Sequence, residues 1–186
     1  MKNIIKSTAL LLCSLAFLTA CDDDRDNNPT IQTPTTFVLN TPSYAQANVD
    51  LATSESLAFS WSQPDYGYPA LASYQIQVSP TNRWTKDIQA GEKDATDQAV
   101  GDYKTFDTEF SLVKGSVAAN EMAKALQEIV RYEPNNVPAS QDVYVRVRAA
   151  YAGDTIYSNA VQIKVLPYYV KLKDAAIDVW YLIGGC

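Results

Sequence analysis

The sequence contains no histidine, and that gap removes a large part of enzyme chemistry. His-based zinc sites and Ser-His-Asp or Cys-His nucleophilic centres all require an imidazole. Cysteine is nearly as scarce, with Cys13, Cys21 and Cys186 the three copies. Basic residues are also outnumbered, 15 Lys and Arg against 21 Asp and Glu. Nucleic acid is therefore excluded as a partner, because backbone binding needs a basic footprint. Long apolar runs are missing too. The run Ala9 to Leu18 falls short of the roughly 20 residues that span a bilayer.

That short run follows Lys2 and Lys6 and has the roughly 7–15 residues of a secretory apolar region. Small residues then lead into a cysteine, and Leu18-Thr19-Ala20-Cys21 resembles a bacterial lipoprotein signal. The resemblance implies cleavage between Ala20 and Cys21, diacylglycerol on the Cys21 thiol, and acylation of the new amino group. Two or more acyl chains give a lasting anchor where one is marginal. The alternative is an ordinary leader with a cysteine there by chance. Asp22-Asp23-Asp24 resembles the surface-export tag of Bacteroidetes lipoproteins, which implies a place on the cell exterior. The alternative for that run is a solvated tether.

Removing residues 1–20 takes away two of the basic residues and none of the acidic ones. Cys13 leaves with the leader, and Cys21 is committed to lipid. No pair remains for an internal disulfide, so the fold must rest on its core. Residues 21–35 are polar and acidic with two prolines. They cannot bury enough surface to offset ordering entropy, and the composition predicts a flexible stalk.

From Thr36 short apolar runs alternate with turn residues, the pattern of an all-β domain. Phe37-Val38-Leu39 predicts a first strand. Leu57, Phe59 and Trp61 face one way, as do Tyr74, Ile76 and Val78. Phe106, Thr108, Phe110 and Leu112 predict another strand face. Val143, Val145, Val147 and Ala149 alternate with Tyr144, Arg146 and Arg148. After the Gly153-Asp154 turn, Tyr157, Val161, Ile163 and Val165 are expected inward. Residues 85–103 are polar and contain glycine, and read as a long loop, with a short edge strand as the alternative. Residues 120–132 predict a helix, with Asn120 as cap, Met122, Leu126, Ile129 and Val130 as its apolar stripe, and Arg131 in its last turn. The stripe should close an open end or edge of the domain.

Leu57-x-Phe59-x-Trp61-x-x-Pro64, Tyr74-x-Ile76-x-Val78, Val143-x-Val145-x-Val147-x-Ala149 and Tyr157-Ser158-Asn159 together resemble a fibronectin type III or immunoglobulin-like β-sandwich. Val143 departs from that pattern, standing where the family carries its corner tyrosine, and the helix is an insertion. Over nearly the whole chain the order of segments is similar to SusE/SusF-type proteins, the starch-binding lipoproteins of the Bacteroidetes outer membrane. The carrying segments are the lipobox with DDDRDNNP, TPTTFVLNTPSYA, FSWSQPDYGY, VYVRVRA and YLIGG. The resemblance implies a spacer domain over 36–166, then carbohydrate-binding modules that hold starch or another polysaccharide. It also implies a complex with a TonB-dependent porin. Residues 167–186, with Tyr168-Tyr169-Val170-x-Leu172 and Val179 to Ile183, would open a truncated module of that kind. The alternative is a terminal hairpin docked on the first domain.

Sugar sites need aromatic faces and nearby hydrogen-bonding groups. Trp61 falls on an alternating face and belongs in the core. Trp84 is the exposed-aromatic candidate in a loop, with packing over a sheet edge as the rival reading. Tyr66 and Tyr68 flank Gly67 in a turn, where packing is the simpler reading. Trp180 and Tyr181 are candidates for the downstream module. Arg146 and Arg148 share an outward face, expected to be solvated. No catalytic residue, metal site or cofactor is expected. Asp65, Asp142 and Asp154 fall at turns, and the triple aspartate lacks the ligand spacing of a calcium loop. Two rivals keep the same anchor: a structural or adhesin-like lipoprotein that binds no glycan, and a periplasm-facing lipoprotein attached to a later enzyme domain.

Overall fold

The longest alternation in the sequence, Val143 to Ala149, forms the central strand of the larger of two sheets. The computed structural model describes residues 30–88 and 101–172. Its strands are β1 (Asn48–Asp50), β2 (Ser56–Ser60), β3 (Ser73–Ser79), β4 (Lys104–Phe110), β5 (Lys114–Ala118), β6 (Gln141–Tyr151), β7 (Asp154–Tyr157) and β8 (Val161–Leu166). Helix α1 (Ala119–Val130) lies between β5 and β6. The larger sheet has the order β1-β8-β6-β3-β4, with β7 also on β6, and the smaller pairs β2 with β5. Only β1 and β8 run parallel among these pairs.

The sheets face each other across one apolar core. Leu57, Phe59 and Val117 from one side meet Tyr74, Ile76, Val78, Val143, Val145, Val147 and Ile163 from the other. Each of these positions is every second residue of its strand, so the pleat delivers them all to one face. Trp61 is 3% exposed, with its ring 5.4 Å from Tyr74 and 6.0 Å from Phe110. The all-β sandwich with one short helix is thus the fold of this chain.

Residues 37–40 line the smaller sheet through a bridge from Leu39 to Trp61 and a bond from Asn40 N–H to Ser60 O. Asn159 ties this segment to the larger sheet. Its Oδ1 accepts from Leu39 N–H at 2.8 Å, and its Nδ2 donates to Leu39 O at 3.2 Å. Neighbouring Ser158 accepts from Val147 N–H through its hydroxyl. The pairing along β6 is interrupted here, between its β7 and β8 partners, and the phase reverses. Tyr157 therefore points outward and is 45% exposed, while Ile156 packs against the core. The expectation of an inward Tyr157 is corrected accordingly.

Strand β4 also departs from simple alternation. A bulge opposite Gln75 and Gln77 breaks its register, so Phe106 is buried while Thr108 is exposed and Leu112 is 63% exposed. Strand β5 was not expected. Its Gly115 is required, because a Cβ there would lie 2.7 Å from the Phe110 ring.

The helix starts without a side-chain cap. Ala118 is the capping residue, two residues ahead of the expected Asn120, and Ala119 N–H donates to Glu55 O in the segment before β2. Asn120 instead accepts from Glu121 N–H at 2.8 Å. Met122, Ala123, Ala125 and Leu126 are buried, but Val130 lies outside the stripe at 39% exposure. Arg131 caps the C-terminus in the left-handed region, φ 61°. The nearly buried pair of Lys104 with Glu128 fastens the helix to β4.

Residues 31–34 lie beside Tyr66 and Asp154 to Ile156, at the β6–β7 turn. Strand β8 leads back to the opposite end, where Val170 N–H donates to Gln127 Oε1 of α1. The chain therefore enters at one end and leaves at the other. Between them runs β6, whose 11 residues extend about 35 Å. Residues 167–172 form no strand, and Tyr168 and Val170 pack against the core. This corrects the expected strand over 168–172.

The β6–β7 hairpin places Ala152 at φ 52° and Gly153 at φ 88°. Two positive φ values in a two-residue turn suit Asn-Gly better than Ala-Gly, since alanine is strained there. Ala152→Asn is expected to raise stability by about 1 kcal/mol, measured by urea unfolding.

Candidate functional site

The outward face of the larger sheet carries a built cluster of polar and aromatic side chains. Arg146 stands directly opposite Gln77, and Arg148 opposite Gln75, across the β3–β6 pair. Arg146 Nε donates to Gln77 Oε1 at 2.7 Å, and Arg148 Nη1 to Gln75 Oε1 at 2.6 Å. The first rung continues across the sheet. Gln77 Nε2 donates to Thr105 Oγ1, which donates to Asp87 Oδ2, while Thr105 N–H reaches Asp87 Oδ1. A guanidinium on β6 is thus linked through two neutral groups to a carboxylate beyond β4. Gln77 is 2% exposed, so its satisfied amide matters energetically.

Three rings surround the same guanidinium. Arg146 Cζ lies 4.1 Å from the Trp84 ring centroid, 4.1 Å from Tyr157 and 5.5 Å from Tyr103. Trp84 and Tyr103 are also packed together at 5.6 Å. The loop after β3 folds so that Trp84 reaches this position. Ser79 Oγ accepts from Thr81 and Arg83 N–H and donates to Asp102 O. Trp84 Nε1 donates to Asn82 Oδ1 at 2.9 Å. The Asp102 carboxylate accepts from the Thr85 hydroxyl and from Thr85 and Lys86 N–H.

Electrostatics follow from this packing. Burial pulls the Arg146 pKa below its ordinary value, against the neighbouring tyrosines and aspartates that hold it up. Tyr103 is pushed up by burial and by Asp87. Burial alone would raise the Asp102 carboxyl. Hydrogen bonds from Thr85 and Lys86 outweigh it, and the group lies below its usual value.

This arrangement is a clamp. Sugar stacking needs a free ring face, yet Trp84 and Tyr157 each turn a face to Arg146. Trp84 is half-buried, with Arg146 over its ring. Arg146 and Arg148 are half-buried and paired with glutamines, which corrects the expectation of a solvated face. Tyr66 is buried against Tyr151 at 4.9 Å, and the Tyr68 and Tyr151 hydroxyls lie 3.1 Å apart. Asp65 accepts from Gly67 N–H within its own turn. Cys21, Trp180 and Tyr181 lie outside the described residues. Among the described residues, no group of three or more Cys, Asp or Glu could hold a metal ion.

Gln75, Gln77, Tyr103 and Tyr157 were missed by sequence reasoning. The available signal was the polar phase of two alternating strands, Gln-x-Gln and Arg-x-Arg, but their pairing depends on register.

The family model for the SusE outer membrane protein matches residues 23–148 of this chain. No solved structure matches it. Among the described residues, no helix is long and apolar enough to cross a membrane.

Arg146→Ala removes two close ring contacts and leaves Gln77 Oε1 without its donor. It is expected to cost roughly 2–4 kcal/mol in urea unfolding. Arg146→Lys should recover less than half, because the planar fork is lost. Since the Asp102 pKa is lower folded than unfolded, its contribution is complete above the unfolded value and lost as pH falls through the folded one. Trp84 emission is expected to hold steady down to about pH 4 and change below it. Asp102→Asn should show the acid signal at neutral pH.

Proposed function

This chain belongs to the SusE outer membrane protein family, and we propose that its sandwich is the lipid-anchored spacer of a glycan-capture protein on the cell surface. The observation that carries this reading is the in-line path of the chain, entering beside Tyr66 and leaving beside Gln127. A domain threaded end to end adds its own length between an anchor before it and a module after it. The occupied faces of Trp84 and Tyr157 support the same reading, because they leave that surface poorly suited to stack a sugar. Cys21 would carry the acyl chains. Starch or another polysaccharide would bind modules downstream, with Trp180 and Tyr181 as candidate contacts, and a TonB-dependent porin would receive it. No catalytic role is assigned to any residue.

A structural or adhesin-like role is the second reading, favoured by one feature. Strand β5 pairs only with β2 among the described strands, and exposed Leu112 and Val113 precede it. Such an edge can accept a partner strand.

Labelled palmitate should appear on the expressed protein and disappear in Cys21→Ser, which should leave the membrane fraction. Absence of label on the unmutated protein would overturn the anchor. Titration of malto-oligosaccharides into the 36–166 sandwich should give no heat beyond dilution; clear binding would overturn the spacer role.

A further inference from the structure

The segment that follows β2 gathers four parts of the chain at the entry end of the sandwich. Trp61 N–H donates to Val113 O at 3.0 Å, and Ser62 N–H donates to Val38 O at 2.8 Å. Gln63 Nε2 donates to Ala70 O at 3.0 Å, and Tyr66 O accepts from Gln32 N–H at 2.9 Å. Register brings the start of β3 and the ends of β4 and β6 to the same place, with Ser73 opposite Ala150 and Tyr74 opposite Phe110.

The side chains delivered to this end are apolar and left outside the core. Leu71 is 89% exposed between buried Ala70 and Ala72, and Ile31, Val38, Leu112 and Val113 are exposed with it. These are five of the eight large hydrophobic residues that are exposed among the described residues. Scattered singly they would need no explanation, but grouped at one end they mark a contact surface.

We propose that this end rests in the lipid interface of the membrane that holds Cys21, with Ile31, Leu71 and Leu112 entering it. The inference rests on the anchored-spacer reading and adds what the spacer stands on. The length of the tether favours a bilayer as the occupant. Thr30 is nine residues beyond Cys21, within about 32 Å of extended chain, so the anchor brings this end to the lipid and not the end at Gln127. Aliphatic side chains carried by separate loops also suit a fluid medium, where binding follows the apolar area buried and no matching shape is needed. Asp65, Asp154 and Lys114 mix both signs of charge here, so attraction to headgroup charge is not what holds the contact. The consequence is that the sandwich stands on its entry end instead of swinging about its tether.

The test places the full mature chain on phosphatidylcholine vesicles, with Cys186→Ser and an environment-sensitive dye on Leu71→Cys or, on α1, Lys124→Cys. One sample carries the acyl chains on Cys21. In the other a histidine tag replaces residues 1–21 and binds nickel-chelating lipid, the chain having no histidine of its own. The dye at 71 is expected to shift to the blue and to be quenched by nitroxide-labelled lipid in both samples. The effect should persist in about 1 M salt, where the Debye length is about 3 Å, and the dye at 124 should show neither change. If the acylated sample alone fails to bind vesicles, the anchor is lost and the tagged sample still decides the contact. Vesicle-bound protein whose dye at 71 emits as in water overturns the proposal, and so does a shift abolished by salt. A dye at 71 already shielded without vesicles also overturns it, assigning this end to a protein contact.

Discussion

Strand β6 bears on every part of this molecule through the alternation of its side chains. One phase, Val143, Val145, Val147 and Ala149, is wholly buried and forms the floor of the core. The other phase presents Arg146 and Arg148 to the glutamines of β3. A strand cannot move one phase without moving the other. Core packing and the aromatic clamp therefore hold the same register, and the loop carrying Trp84 is fixed by the interior as much as by its own bonds.

The parts of the fold that were legible in the sequence are those where a period of two survives unbroken. Leu57 and Phe59, Tyr74 to Val78, and Val143 to Ala149 show it directly, and their burial follows. The parts that were not legible break the period for reasons outside their own segment. Tyr157 is turned outward by the bond of Ser158 to Val147, a residue on another strand. Strand β5 contains Lys114 and Gly115, poor strand formers, yet the Phe110 ring fits only over a glycine. Asn120 is not the cap because the helix begins one residue before it, at Ala119, whose N–H is held by Glu55 O from outside the helix. The cage around Arg146 needs residues from β3, β6, β7 and two loop segments, and no window of sequence contains them together.

Helix α1 has a comparable double role at the exit end. Its buried stripe closes the sandwich, its Glu128 pairs with Lys104 of β4, and its Gln127 receives the departing chain. Asn159 does related work between the sheets by holding both backbone groups of Leu39. The domain is thereby fastened across its sheets and at its exit, as the proposed spacer role requires. An anchor and a binding module would gain a fixed separation from it.

The most direct measurement of that separation uses the acylated protein in liposomes with a headgroup-located quencher. With Cys186 replaced by serine, a dye is attached through cysteine at position 31 in one sample and at position 169 in another. The spacer account expects strong quenching at 31 and little at 169, because the sandwich adds its length between them. Equal quenching at the two positions would contradict it, since the domain would then lie along the membrane and separate nothing.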